Sequence, residues 1–444
     1  MTVLIQILQF IVSLSILVII HELGHFVMAK YFKTRVEKFY LFFAPWFSLF
    51  KYKKGETEYG IGWLPLGGYV KISGMIDESM DKEQLKQPPQ PYEFRSKSSW
   101  QRLLIMTGGV LFNFILAMLI FIFILYAWGE TYLPTSNVKY GIVTDSVGKA
   151  IGLQNGDKIL SVDNQPVEDF MALTSDIVLN MRKAIQIERS GERLDIEIPK
   201  EYIPQMLKGR GHILYRIPFS PMKVVAFAKK SPAKDAGLKR NDEITGIDGL
   251  TFNYSDEFQT YLAEHAGKPV TVNLVRAGKN ETLTISPDDK GLLGIRFESK
   301  PLNQIFELET VKYSFLASVP AGIAKGFTTI SDYLKQFRLL FSKDTKAYES
   351  FGSFITIVKI FPGVWDWQAF WERTAFLSII LAVMNILPIP ALDGGHVMLL
   401  LYEVVTGRKP SDKFLENAQV AGMIILLLIF TLAMYNDIAG LIRK

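Results

Sequence analysis

Five consecutive residues, His21-Glu22-Leu23-Gly24-His25, form an H-E-x-x-H pattern inside an apolar stretch. On a helix, positions i and i+4 lie one above the other, so both imidazoles can reach one metal ion. Glu22 sits about 100° around the same helix, close enough to act on a water at that metal. The chain has 5 histidines, so finding two of them at this spacing is informative. Three ionisable side chains near hydrocarbon are costly unless they serve a function. The alternative is a polar helix end facing lipid headgroups.

A catalytic zinc needs a third protein ligand and an open position. The segment Asn385-Ile386-Leu387-Pro388-Ile389-Pro390-Ala391-Leu392-Asp393-Gly394-Gly395-His396 supplies the candidates. Asp393 is the only acidic residue between Glu372 and Glu403. A carboxylate at that depth calls for a cation, which favours it as the ligand. It could also cap a helix broken by Pro388, Pro390 and the paired glycines. His396 is the competing ligand, with a packing role as its alternative. Two histidines and a carboxylate suit zinc, though iron or cobalt fits the same donors.

These residues must be held by membrane elements. The chain has 444 residues, of which 49% are hydrophobic, concentrated in long runs. The runs are Val3 to Ile20 continuing through Met28, Leu103 to Trp128, Ala375 to Leu392 extending to Val405, and roughly Val420 to Tyr435. Each approaches the ~20 residues that span a bilayer. The first lacks the basic start and small-residue cleavage site of a signal peptide, so a retained helix is expected. His21 follows about 18 mostly apolar residues, or ~27 Å of helix, which places the motif below the surface.

Lysine and arginine cluster after the first run (Lys30 to Lys54), before the second (Arg95, Lys97, Arg102) and between the third and fourth (Arg408, Lys409, Lys413). Positive charge marks these loops as cytoplasmic. Both termini and residues 129–372 are then expected outside, with Lys139, Arg373, Arg443 and Lys444 against the trend. The net charge of +5 gives no argument for nucleic-acid binding. The absence of cysteine excludes disulfides and thiolate ligands.

The outer stretch contains a duplication. Gly152-Leu153, Gly156-Asp157, Ile159 and Val162-Asp163 recur 85 positions later as Gly237-Leu238, Asn241-Asp242, Ile244 and Ile247-Asp248. Arg189-Ser190-Gly191 and Arg276-Ala277-Gly278 are matching hairpin turns. A repeat of this length is a domain duplication rather than a solenoid. Both copies resemble PDZ domains of the protease-associated kind; the second carries Ser231-Pro232-Ala233 where the first has Ser146-Val147-Gly148. Residues 56–73 read as one or two short strands with a Gly-rich turn. Residues 77–91 read as a polar, Pro-rich loop, and 304–345 as amphipathic helix broken at Pro320 and Gly322.

The pairing of H-E-x-G-H with N-x-x-P-x-P-x-L-D-G-G, together with the outer repeat, resembles the site-2 protease family of intramembrane zinc metalloproteases. The likeness is to the bacterial regulator of sigma-E protease type and extends over essentially the whole chain. It implies an α-helical polytopic membrane protein with four transmembrane helices, two inserted extracytoplasmic PDZ-like α+β domains and a re-entrant β-loop at 56–73. The expected organisation is an N-terminal membrane part at 1–128, PDZ-like domains at 129–217 and 218–302, an amphipathic extracytoplasmic segment at 303–372 and a C-terminal membrane part at 373–444. Carried over by position, His21, His25 and Asp393 are the Zn2+ ligands and Glu22 the catalytic base. Asn385, Gly67, Gly68 and Tyr69 become substrate-binding residues, Asn385 having a helix–helix hydrogen bond as its alternative.

The family's G-x-x-x-N pattern falls on Gly109 and Asn113, chiefly as support for close helix approach, with Asn113 lining the site as the alternative. The resemblance implies transmembrane-helix protein substrates (anti-sigma factors or signal-peptide remnants) within the lipid bilayer of the bacterial inner membrane. It also implies an upstream site-1-type protease and outer domains that exclude bulky substrates. An ordinary cytoplasmic hairpin at 56–73 and a peptide-binding role for the outer domains stay open. Two other functions compete: a membrane metal transporter, which leaves Glu22 unexplained, and a non-catalytic PDZ scaffold with a structural metal.

Overall fold

The computed structural model describes residues 2–65, 67–75, 87–207, 213–340 and 354–442. Positions 77–86 of the expected polar loop and 341–345 of the amphipathic segment lie outside the described residues. The chain divides into two compact units, 1–130 with 312–338 and 348–444, and 131–311 with 339–347.

In the first unit, helix α1 (Thr2–Tyr31) is followed by strands β1 (Val36–Leu41), β2 (Phe43–Lys54), β3 (Thr57–Leu64) and β4 (Tyr69–Ile72). Then come α2 (Ser99–Ala127), α3 (Phe315–Leu340), α4 (Trp367–Ile386), α5 (Asp393–Thr406) and α6 (Asp412–Ile442). Four of these helices are long and apolar enough to cross a membrane: α1, α2, α4 and the Lys413–Ala439 part of α6. Their starts follow ordinary capping chemistry. Ser98 Oγ accepts from the Gln101 amide while Gln101 Oε1 accepts from the Ser98 amide, a reciprocal box that opens α2. Asp366 Oδ1 accepts from the Ala369 amide at 2.8 Å and opens α4.

Between α4 and α5 the chain breaks within Leu387–Leu392. Pro388 and Pro390 cannot continue a helical ladder, and Ala391 takes a φ of 82°. A Cβ on Gly394 would stand 2.2 Å from the Leu387 carbonyl oxygen, so this turn closes only around glycine.

The helices are joined by polar contacts as well as apolar packing. Thr374 Oγ1 donates to Ser13 Oγ at 3.0 Å, and Gln9 Nε2 donates to the Pro362 carbonyl at 2.8 Å. Such bonds tie helices together where apolar burial gives little drive. The expected break in α3 does not occur; the helix runs through Pro320 and Gly322. Gly322 serves packing instead, since a Cβ there would lie 2.6 Å from the backbone nitrogen of Ile122 on α2.

The four strands form one sheet in the order β2-β3-β1-β4. The two strands expected within 56–73 exist but do not pair with each other. β1 lies between them, parallel to β3 and antiparallel to β4. The sheet is larger than the sequence indicated because Val36–Leu41 and Phe43–Lys54 also extend. In β2, Phe50 and Tyr52 alternate with Lys51 and Lys53, the two-residue period of a strand. Trp46 is 90% exposed on this strand and its ring stacks with Trp63.

The second unit contains two buried apolar clusters, one built around Ile142, Leu173, Ile185 and Ile187, the other around Val224, Ile244, Val272 and Leu274. The duplication is visible in matching bonds. Arg189 pairs with Asp157 and donates to the Gly152 carbonyl; Arg276 pairs with Asp242 and donates to the Gly237 carbonyl. Asp157 accepts from the Gln154 amide and Asp242 from the Lys239 amide, both at 2.7 Å. Asp163 and Asp248 both adopt positive φ at the Asp-led turn.

Candidate functional site

His21 and His25 lie on one face of α1 and are both buried, with their Nε2 atoms 3.4 Å apart. Asp393, the first residue of α5, brings Oδ2 to 3.2 Å from each of these nitrogens. The three donor atoms thus form a nearly equilateral triangle assembled from residues some 370 positions apart. A tetrahedral site with metal–ligand bonds of about 2.0–2.1 Å has edges of about 3.3–3.4 Å. The triangle matches one face of such a tetrahedron, and among the described residues no further His, Cys, Asp or Glu joins the group. The donor set and its spacing therefore fit zinc.

Ring orientation is set from outside the triangle. His25 Nδ1 stands 2.9 Å from the Ile105 carbonyl oxygen, which can only accept. The ring hydrogen therefore sits on Nδ1, leaving the Nε2 lone pair for a metal. His21 Nδ1 is 3.2 Å from Asn113 Nδ2. The sequence reading made Asn113 chiefly a helix-packing residue; the structure sets its amide directly against a histidine of the cluster.

Glycines allow α2 to approach. A Cβ on Gly24 would stand 2.2 Å from the Gly108 carbonyl oxygen, so α1 and α2 meet almost backbone to backbone. A Cβ on Gly109 would stand 2.4 Å from His25 Nε2 and 2.7 Å from His21 Cε1. The imidazoles lie against the space that the missing side chain leaves.

A cleft of about 740 Å³ opens on the triangle. Glu22 and Asn385 line it, as do Gly67, Gly68 and Tyr69, so every residue expected at the site from sequence shares one cavity. Asn385 Nδ2 is 3.4 Å from His21 Nε2. A Cβ on Gly68 would come within 3.3 Å of Glu22 Cγ, which places the connection before β4 against the expected base. Tyr69 stacks between Tyr40 and Phe43. β4 itself is an edge strand of its sheet, and Tyr69–Ile72 line the cleft.

His396 also lines the cleft but is not part of the close donor group, which among the described residues comprises His21, His25 and Asp393. Gln419, buried on α6, was not singled out from sequence. Its signal was an amide directly before the last apolar run, with Asn417 two residues earlier. The Ile105 carbonyl has no sequence signature, since every residue has one.

The sequence profile of peptidase family M50 matches residues 9–429. A candidate zinc metalloprotease of Neisseria meningitidis serogroup A is 31% identical over 98% of this chain and 99% of its own length. One from Borreliella burgdorferi is 29% identical over 98% of both chains. The regulator of sigma-E protease of Salmonella typhimurium is 27% identical over 97% of this chain and 98% of its own. Among solved structures, the PDZ domain of an SdrC-like protein from Listeria monocytogenes is 32% identical, with a TM-score of 0.16, over 18% of this chain and 90% of its own. With the family profile matched over residues 9–429 and three side chains able to hold a metal facing a cleft that Glu22 also lines, the chain belongs to peptidase family M50, the site-2 protease family, and is a metalloprotease.

Proposed function

We propose that this enzyme is an intramembrane endopeptidase that hydrolyses peptide bonds within single transmembrane segments, with Zn2+ held by His21, His25 and Asp393. The observation that carries this reading is the 3.2–3.4 Å donor triangle on helices apolar enough to span a bilayer. Bound zinc supplies Lewis acidity, which acidifies water and polarises a carbonyl group. The carboxylate of Glu22 accepts a proton from the attacking water as its oxygen bonds to the carbonyl carbon. Glu22 then delivers that proton to the departing nitrogen as the C–N bond breaks. Asn385 Nδ2 faces the same space and donates a hydrogen bond to the substrate backbone.

A transmembrane helix hides its peptide bonds and must unwind before cleavage. The edge strand β4, with Gly67, Gly68 and Tyr69 at its entrance, offers backbone partners to an unwound segment as an added strand. The exposed aromatic band of β2 supports a sheet dipping into the membrane. The irregular backbone of residues 387–392 fits the same picture, because non-helical chain at membrane depth is tolerated where it lines a cavity.

The matching bonds of the duplicated outer region support two PDZ-like domains at 129–217 and 218–302, lying outside the inner membrane with both termini. In that position they exclude substrates with bulky outer domains, so cleavage follows trimming by an upstream protease. Anti-sigma factors and signal-peptide remnants are substrates of the required form. The amphipathic segment within 303–372 would lie on the outer side as well.

The test uses purified full-length protein in liposomes with a single-span substrate. Wild type cuts within the span, and Glu22→Gln retains zinc but loses cleavage. Equal cleavage by the two proteins would refute the role of Glu22.

A further inference from the structure

Asn113 is fully buried, and the bond from its Nδ2 to His21 Nδ1 leaves its own Oδ1 without a hydrogen-bond partner among the described residues. The side chain is therefore aimed at His21 alone, and no competing donor fixes which end of the amide faces the ring. Its backbone is pinned, since Ser378 Oγ on α4 donates to the Asn113 carbonyl at 2.8 Å. Gly109, one turn earlier on α2, keeps the imidazoles within reach of this side chain.

A neutral imidazole carries one N–H. A ring that presents Nε2 to a metal must carry that hydrogen on Nδ1 and give it to an acceptor. His25 meets this condition through the Ile105 carbonyl. His21 meets it only if the oxygen of the Asn113 amide, not its nitrogen, faces Nδ1. A half-turn of the amide makes that exchange without moving the backbone.

We propose that Asn113 is the positioning residue for His21. Its Oδ1 accepts the Nδ1–H and fixes the ring in the tautomer that offers Nε2 to zinc. This rests on the zinc reading of the site. The two histidines are then oriented by different means, one by a main-chain carbonyl and the other by a side-chain amide from the same helix. Only the second is open to substitution.

The test measures zinc affinity of the full-length protein by chelator competition, independently of proteolysis. Asn113→Leu keeps the volume and removes the acceptor. Asn113→Asp keeps an acceptor at the same place. The expected result is zinc binding about 10–100-fold weaker in the leucine variant, the usual effect of removing such an orienting partner. The aspartate variant should bind zinc at least as tightly as wild type. Wild-type affinity in Asn113→Leu, or aspartate binding as weakly as leucine, would overturn the assignment. Absence of tight zinc binding in wild type would instead remove the metal reading beneath it.

Discussion

Gly109→Ala adds a single methyl group where α2 faces both imidazoles. The new Cβ would lie 2.4 Å from His25 Nε2 and 2.7 Å from His21 Cε1. Comfortable contact needs about 3.5 Å, so rings or helix must give by about 1 Å. Metal sites tolerate about 0.2 Å in ligand distance, so the shift is several times what the triangle can absorb. Overpacking of this size costs about 1–3 kcal/mol of stability, which a bundle of long apolar helices survives. A 1 Å displacement at a reacting centre costs about 100-fold in rate. The expected variant is therefore folded, poor in zinc and at least about 100-fold slower on a single-span substrate. The assay pairs cleavage kinetics in liposomes with metal content and a thermal midpoint. Wild-type kcat/KM together with full zinc occupancy would show that α2 does not press on the imidazoles as described.

Asp393→Ala should abolish tight zinc binding while His396→Gln leaves it intact, as measured by metal content after dialysis; the reverse outcome would move the third ligand to His396. Gly322→Ala should loosen α3 from α2 more than Gly326→Ala, although a Cβ at 326 meets Met118 Sδ at only 2.0 Å, because a methionine tail moves aside and the Ile122 backbone does not. Limited proteolysis of the two variants compares them, and equal susceptibility would contradict the packing. In the second repeat, burial pushes the Asp242 carboxyl up. Its bonds to the Arg276 side chain and the Lys239 amide, with the charges of both residues, outweigh this and hold it below the ordinary value. A depressed carboxyl stabilises the fold above its unfolded pKa of about 3.9 and loses that contribution as pH falls through the lower folded value. The protection of strand Val270–Arg276 against hydrogen exchange, relative to the unfolded chain at each pH, should thus hold steady from neutral pH to about 5 and fall only below about 4 in the full-length protein. In Asp242→Asn this pH dependence should weaken, the remainder coming from Asp248, which accepts from the Thr271 amide on the same strand and is also held below its ordinary value; loss of protection already at pH 6 in wild type would point to another group.

Much of the site could be read from sequence because its chemistry depends on fixed spacing and misplaced polarity. Two histidines four apart share a helix face whatever surrounds them. Asp393, the only acidic residue between Glu372 and Glu403, stands out wherever the chain carries it. The duplication was legible for a similar reason. Its Asp-led turns need residues that tolerate positive φ, and these recur at a constant offset. The sheet was legible only in part. Lysines of Phe43–Lys54 looked like a juxtamembrane basic stretch, and their alternation with aromatic residues acquires meaning only when β3 pairs alongside. The orienting groups of the histidines were less accessible. The Ile105 carbonyl has no side-chain signature, and Asn113 appears as helix glue until its amide is found against His21. Gly322 shows the ambiguity of glycine itself, which breaks a helix in isolation and permits contact in a bundle.

The central claim is that α1 and α5 together hold a metal through two imidazoles and one carboxylate. Zinc-edge X-ray absorption on the purified Glu22→Gln protein tests it directly. The account predicts two imidazole nitrogens at about 2.0–2.1 Å, with remaining light-atom ligands at about 2.0–2.2 Å. A third imidazole in the shell, or no ordered zinc shell at all, would contradict it.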